Sequence, residues 1–161
     1  HDFLIEIFKE VHNNNKNSLL LLIGTGPLDE KIKAKAKALN IEDKVIFLGP
    51  RNDTNELYQV MDVFLLPSLY EGLPVVGVEA QSSGLICFFS NEVTKEAKLI
   101  KTTEYISLAK TSKYWSNIIL AKYQEYNRQN TLDEVIKKGF NILTEVKKLE
   151  NKYLTLLANK E

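Results

Sequence analysis

The stretch Pro67-Ser68-Leu69-Tyr70-Glu71-Gly72-Leu73-Pro74-Val75-Val76-Gly77-Val78-Glu79-Ala80 decides how the rest of the chain is read. Just before it, Val63 to Leu66 is a short apolar run of the kind that forms a strand, closed by Pro67-Ser68. Pro74 suits the first position of a helix that runs to Ser83 and stops at Gly84. A strand therefore passes through a loop carrying Glu71 and Gly72 into a helix carrying Glu79. Gly72 lets a ligand approach the backbone closely. The first-turn N–H groups of Leu73, Val75 and Val76 have no partner inside the helix and can hold a diphosphate without a basic side chain.

Glu79 falls in the second turn of that helix, on the face of Val75 and Val76 at i−4 and i−3. Those neighbours predict a partly buried carboxylate, which needs hydrogen-bond donors. Helical side chains lean toward the N-terminus, so Glu79 leans to where a diphosphate would lie. Two anions repel there, and a neutral partner such as a ribose 2′,3′-diol fits better. Glu71, on the loop, would face the other end of such a ligand, where a hexose hydroxyl pair matches it. Residue type alone is equally compatible with a packed helix bearing one satisfied glutamate after an ordinary loop acid.

Outward from this segment the pattern repeats. Residues 3–12 have helical apolar spacing; Leu19 to Ile23 is a strand closed by Gly24, with an apolar run that predicts burial on both faces; Pro27 to Leu39 is a helix that Asn40 can end. Lys44 to Leu48 is a strand ending at Gly49, Thr54 to Met61 a helix, Leu85 to Phe89 a strand, and Tyr105 to Leu108 a further short strand. Strands alternating with helices imply an α/β fold: a Rossmann-like parallel sheet with helices on both faces and ligands at the carboxyl ends of the strands. After Lys110, residues 112–127 and 132–152 read as helices packing back on this core, with Trp115 and Tyr123 on one apolar stripe and Phe140, Leu143, Val146, Leu149 and Tyr153 on another. No second domain is expected. Gly24-Thr25-Gly26-Pro27 follows a strand and opens a helix, a setting for backbone anion binding. It lacks the third glycine of a dinucleotide fingerprint and the Gly-Lys-Ser/Thr of a P-loop, and a plain tight turn explains it as well.

Bulk properties exclude several classes. The chain has 161 residues, 21 Lys+Arg and 21 Asp+Glu, so its formal net charge is zero and it carries no broad basic footprint for nucleic acid. One cysteine, Cys87, within Leu85-Ile86-Cys87-Phe88-Phe89, rules out an internal disulfide and a cysteine-based zinc cluster; it reads as buried filler and fits a reducing compartment. His1 and His12 have no paired spacing, so no metal site is expected, and His12 reads as a solvated residue at a helix end. Lys31, Lys33, Lys35 and Lys37 read as a solvated helix face. No apolar run approaches the roughly 20 residues needed to span a bilayer. The opening His1-Asp2 predicts an excised fragment.

As a set, Glu71-x7-Glu79 in its Pro-Ser-Leu-Tyr-Glu-Gly-Leu-Pro…Val-Glu-Ala context, Gly24-Thr25-Gly26-Pro27, Val45-Ile46-Phe47-Leu48-Gly49 and Met61-Asp62-Val63 resemble the family 4 retaining glycosyltransferases of the GT-B type, over residues 1 to about 110. The tail Lys138-Gly139-Phe140-Asn141-Ile142 looks like the closing helices of capsular or exopolysaccharide members. The resemblance implies the C-terminal half of a GT-B fold, hexosyl transfer with retention of configuration, no cofactor, no bound metal, and a nucleotide-sugar donor, with UDP the expected nucleotide. Carried over, Glu71 contacts the donor sugar and is the catalytic position. Glu79 contacts the ribose, Gly72, Leu73, Pro74, Val75 and Val76 hold the diphosphate, Gly24 and Gly26 line the donor site, and Pro50 and Arg51 border the base. It further implies an N-terminal acceptor-binding domain as partner, a first strand, and an Arg and a Lys ahead of residue 1. The expected location is cytoplasmic, with peripheral association at the inner face of the membrane through that absent domain. Two other readings stay open: a nucleotide-sugar epimerase or phosphorylase-like GT-B domain, and a nucleotide-binding fragment that does not turn over.

Overall fold

A computed structural model describes residues 1–158. Helix α1 spans Asp2–Asn14, strand β1 Leu20–Ile23, helix α2 Asp29–Ala38, strand β2 Val45–Gly49, helix α3 Thr54–Val60, and strand β3 Val63–Leu66. Helix α4 follows at Val75–Ser82, strand β4 at Ile86–Ser90, strand β5 at Thr103–Ile106, and helices α5 at Ser112–Gln124, α6 at Leu132–Lys137 and α7 at Ile142–Ala158. Short 3-10 turns at Glu42–Lys44 and Lys95–Ala97 lead into β2 and follow β4. Every strand pairing is parallel, as the alternation of strands and helices requires.

The strands form two sheets, β1-β2 and β3-β4-β5. β4 is the centre of the second, and all five of its residues are buried, Cys87 included. Its two faces serve different cores. Cys87 and Phe89, with Phe64 and Leu66 of β3, pack against Tyr58 of α3 and Ala80 of α4. Ile86 and Phe88, with Val63 and Leu65, pack against Ile7 of α1 and Trp115 and Ile119 of α5. The two-residue alternation of a strand thus feeds helices on both sides.

The first sheet is covered differently. Leu22 and Val45 pack against Leu4, Ile5 and Phe8 of α1 and Ile32 and Ala36 of α2. The opposite-facing Ile46 is exposed, and Leu21 and Ile23 are half-buried. The run Leu19 to Ile23 reads as a strand dry on both faces, whereas Leu19 is exposed and only Leu22 is buried in the strand. The apolar content was a sound guide to a strand and a poor one to its surroundings. α1 is the strap between the sheets: Leu4, Ile5 and Phe8 face one core, Phe3, Ile7 and Val11 the other. Phe3 meets the fully buried Trp115 ring edge-on at 5.9 Å.

Several boundaries shift for identifiable reasons. α2 begins at Asp29 rather than Pro27, because the Asp29 carboxylate takes the Gly26 N–H (3.1 Å) and the Thr25 hydroxyl (3.0 Å), holding Gly24–Leu28 as a turn. Asn40 ends that helix as expected, in the left-handed region at φ 52°. β5 begins at Thr103, two residues before the strand read at Tyr105. The single helix expected over 132–152 is two: Gly139 adopts φ 85°, and the Phe140 N–H returns to the Val135 carbonyl, which closes α6. α5 and α6 pack back on the core, through Trp115 and Val135. α7 does not. None of its described residues is buried, and Leu143, Val146, Leu149 and Tyr153, expected to pack, are exposed. His12 is a further correction. It is buried beside Phe8, its Nδ1 3.2 Å from the Ser18 hydroxyl.

Candidate nucleotide-sugar site

The loop after β3 is tied to the ends of its neighbours. The Ser90 hydroxyl, at the end of β4, donates to the Ser68 carbonyl. Glu71 makes a parallel bridge with Val93, and the Tyr105 hydroxyl of β5 donates to the Thr94 carbonyl at 2.7 Å. The Ser90 bond to Ser68 and the bridge to Val93 therefore set the position of Glu71. Its side chain is held in turn by the Ser68 hydroxyl, 2.9 Å from Oε1.

Pro74 caps α4 without being its first residue, with extended backbone at ψ 107°. No side chain caps this helix start. Its first internal bonds run from the N–H groups of Gly77 and Val78 to the Pro74 carbonyl, so those of Val75 and Val76 point out of the helix. Val75, Val76, Leu73 and Gly72 are exposed and Pro74 is buried. A Cβ at Gly72 would meet nothing within 4 Å, so the space before this backbone is open. Gly77 has the opposite role: a Cβ there would lie 2.9 Å from the Phe89 ring, and its absence lets α4 settle against β4.

Glu79 is exposed rather than partly buried, because the Val75–Val76 face of α4 turns to solvent. A donor still reaches it. The hydroxyl of Tyr58, a buried residue on α3, lies 3.2 Å from Glu79 Oε2 and 3.4 Å from the Val76 carbonyl. Burial first, and then the Glu79 charge, hold the Tyr58 phenol far above its ordinary range, so it stays protonated and donates. No ion pair involves Glu71 or Glu79 among the described residues.

The other residues picked from sequence are already engaged. The Gly24 N–H donates to the Gly49 carbonyl at 2.9 Å and the Gly26 N–H to Asp29, so the Gly24-Thr25-Gly26 turn spends both glycine donors internally. Arg51 forks onto Asp53, Nε to Oδ1 at 2.7 Å and Nη2 to Oδ2, and its charge is neutralised in place. Lys35 joins α2 to α1 through Asp2 (2.6 Å) and Glu6, so it is not a solvated lysine. A recess of about 270 Å³ between β5 and α5, lined by Glu104, Ile106, Lys110, Tyr114 and Lys122, contains none of the expected site residues. Among the described residues no group of His, Cys, Asp and Glu could hold a metal ion, and no helix is long and apolar enough to cross a membrane.

Sequence reasoning missed Tyr58, Gln81 and Arg128. Gln81 is fully buried in α4. Its amide donates to the Gly77 and Ala97 carbonyls (both 2.8 Å), and its oxygen accepts from the Leu99 N–H at 2.9 Å and the Thr103 hydroxyl at 2.7 Å. Arg128 donates to the Tyr58, Gln59, Met61 and Ser83 carbonyls, joining the carboxyl ends of α3 and α4. A polar residue inside an apolar helix was the one available signal for Gln81. Nothing local marks Arg128, whose partners lie 45 to 70 positions away.

This parallel Rossmann-like arrangement is shared with glycosyltransferases of the GT-B fold. Residues 1–138 match the family Glycosyl transferases group 1, and the chain belongs to it. It is 38% identical over 120 residues to EpsF of Bacillus subtilis (strain 168), covering 74% of this chain and 31% of that protein. It is 30% identical over 168 residues to the UDP-Gal:alpha-D-GlcNAc-diphosphoundecaprenol alpha-1,3-galactosyltransferase of Escherichia coli, covering 98% of this chain and 43% of that protein. The chain thus spans less than half the length of these relatives. Two solved structures share the fold. One is the pneumococcal O-GlcNAc transferase GtfA in complex with UDP and GlcNAc, at TM-score 0.76 and 19% identity, covering 97% of this chain and 33% of that one. The other is Anabaena HepE in complex with UDP, at TM-score 0.77 and 17% identity, covering 94% and 44%. Both relatives carry names of glycosyltransferases.

Proposed function

We propose that this chain is the donor-binding part of a retaining hexosyltransferase of surface polysaccharide synthesis, taking a nucleoside diphosphate sugar, with UDP as the nucleotide. The observation that carries this is the uncapped start of α4 between two carboxylates that lack cationic partners. A diphosphate fits the outward N–H groups of Val75 and Val76, with Leu73 and Gly72 beside them. Glu79 then meets the ribose diol and Glu71 the hexose hydroxyls. The same N–H groups would stabilise the leaving diphosphate as negative charge builds on it, so no metal ion is required. Gly24, Gly26 and Arg51 have their donors engaged internally, and in this reading they shape the rim of the site rather than bind phosphate.

The acceptor, and any contact with a membrane at the cytoplasmic face, belong in this reading to an N-terminal acceptor-binding domain of a longer protein. Two features support such a partner: the exposed apolar stripe of α7, and the outer edges of both sheets, which pair with no further strand among the described residues. The test is calorimetric titration of UDP into the chain and into Glu79→Ala. A hydrogen bond to a charged group is worth about 1.5–3 kcal/mol, so the variant should bind roughly tenfold more weakly or worse. EDTA should leave both affinities unchanged. Equal binding by wild type and variant would sink the ribose assignment.

A further inference from the structure

We propose that Tyr58 is a positioning residue: its hydroxyl fixes the Glu79 carboxylate in the orientation that receives the ribose diol. The inference rests on the donor-site reading above and adds to it a residue from a different helix.

The geometry separates Tyr58 from an ordinary core tyrosine. Its ring is buried and closes an edge-to-face series through Phe64 (6.3 Å), Phe89 and Tyr105, which leaves the ring little freedom. Its hydroxyl reaches Glu79 Oε2 at 3.2 Å, closer than the Val76 carbonyl at 3.4 Å. Glu79 is exposed and has no cation to hold it, so an unassisted side chain would sample several rotamers. Ordering it on binding would cost up to about 1.5–2 kcal/mol of rotamer freedom. One donated hydrogen bond at Oε2 removes much of that freedom in advance and leaves Oε1 free for a sugar hydroxyl. The two helices that carry the pair are locked together as well. Arg128 grips the carbonyls of Tyr58 and Gln59 at the end of α3 and of Ser83 beyond α4. The hydroxyl and carboxylate therefore meet across a fixed junction.

The experiment measures UDP and 2′,3′-dideoxy-UDP affinities for the chain, for Tyr58→Phe and for Tyr126→Phe. Both variants keep their aromatic rings, and Tyr126→Phe removes a hydroxyl that donates to the Gly84 carbonyl instead. In the wild type UDP should bind roughly tenfold or more tightly than the dideoxy analogue, the worth of a charge-assisted contact. Tyr58→Phe should reduce that ratio severalfold, and Tyr126→Phe should leave it intact. A wild type that binds neither nucleotide, or both equally, overturns the donor-site reading and this proposal with it. A wild-type ratio that persists in Tyr58→Phe overturns the positioning role alone, and so does a variant that weakens both nucleotides equally.

Discussion

At the scale of single residues, the glycines separate ligand space from packing. Gly72 faces open space, whereas Gly84 is fixed twice over. Its φ is +73°, and a Cβ there would lie 2.4 Å from the Gln129 carbonyl. The left-handed backbone alone costs a non-glycine residue about 1–2 kcal/mol. Gly84→Ala should therefore lower Tm by at least roughly 2–8 °C, taking about 2–4 °C per kcal/mol for a chain of this size. Differential scanning fluorimetry checks it, and an unchanged Tm would show that the contact of Gly84 with Arg128 and Gln129 is not formed. The placement of Glu71 on the loop after β3 and of Glu79 on α4 was legible in sequence because turn and helix signals are local. Tyr58 was not legible as their companion, since its hydroxyl crosses from one helix to another and a buried tyrosine in an apolar pattern reads as core. The burial predicted for Glu79 failed for a related reason. Periodicity names a face of a helix and not what lies opposite it.

At the scale of elements, α1 shows what its charge pattern concealed. His12, expected in solvent, is buried under the polar turn that follows the helix. Burial first, and then the charge of Lys16, push its pKa below the usual value near 6.5 against an opposing hydrogen bond with Ser18, and Lys44 and Lys9 add smaller effects in the same downward direction. The unfolded chain therefore binds a proton at a pH where the folded chain does not. Stability from this site is complete above about pH 6.5 and is lost as pH falls below it. Tm should drop between pH 7.5 and 5.5, and His12→Asn should drop less over the same interval. Equal slopes in the two proteins would show that the histidine titrates alike in both states. The helix itself, the turn signals at Asn40 and Gly84 and the strand β4 were readable from period and punctuation. The break at Gly139 was not, because one glycine within a strong apolar stripe is ambiguous until its φ is known.

At the scale of the molecule, the parallel α/β class followed from the alternation of strands and helices, and the division into two sheets did not. Strand order depends on which edges meet, and no residue of β1 or β3 encodes that by itself. The same holds for α7. Its 17 residues carry a clear apolar stripe, yet none is buried, so the stripe predicts a partner face without locating it. A chain ending at Asn141 should accordingly melt within about 1 °C of the intact one, since on the order of 0 kcal/mol of core burial is removed. A marked loss of Tm on truncation would mean that α7 packs on the domain after all. The split sheet has one more consequence. Four outer edges, those of β1, β2, β3 and β5, pair with no further strand among the described residues. Such edges recruit whatever extended peptide is at hand, another copy of the same chain included. Strand edges, and not only the balanced surface charge, therefore bear on whether the domain associates with itself.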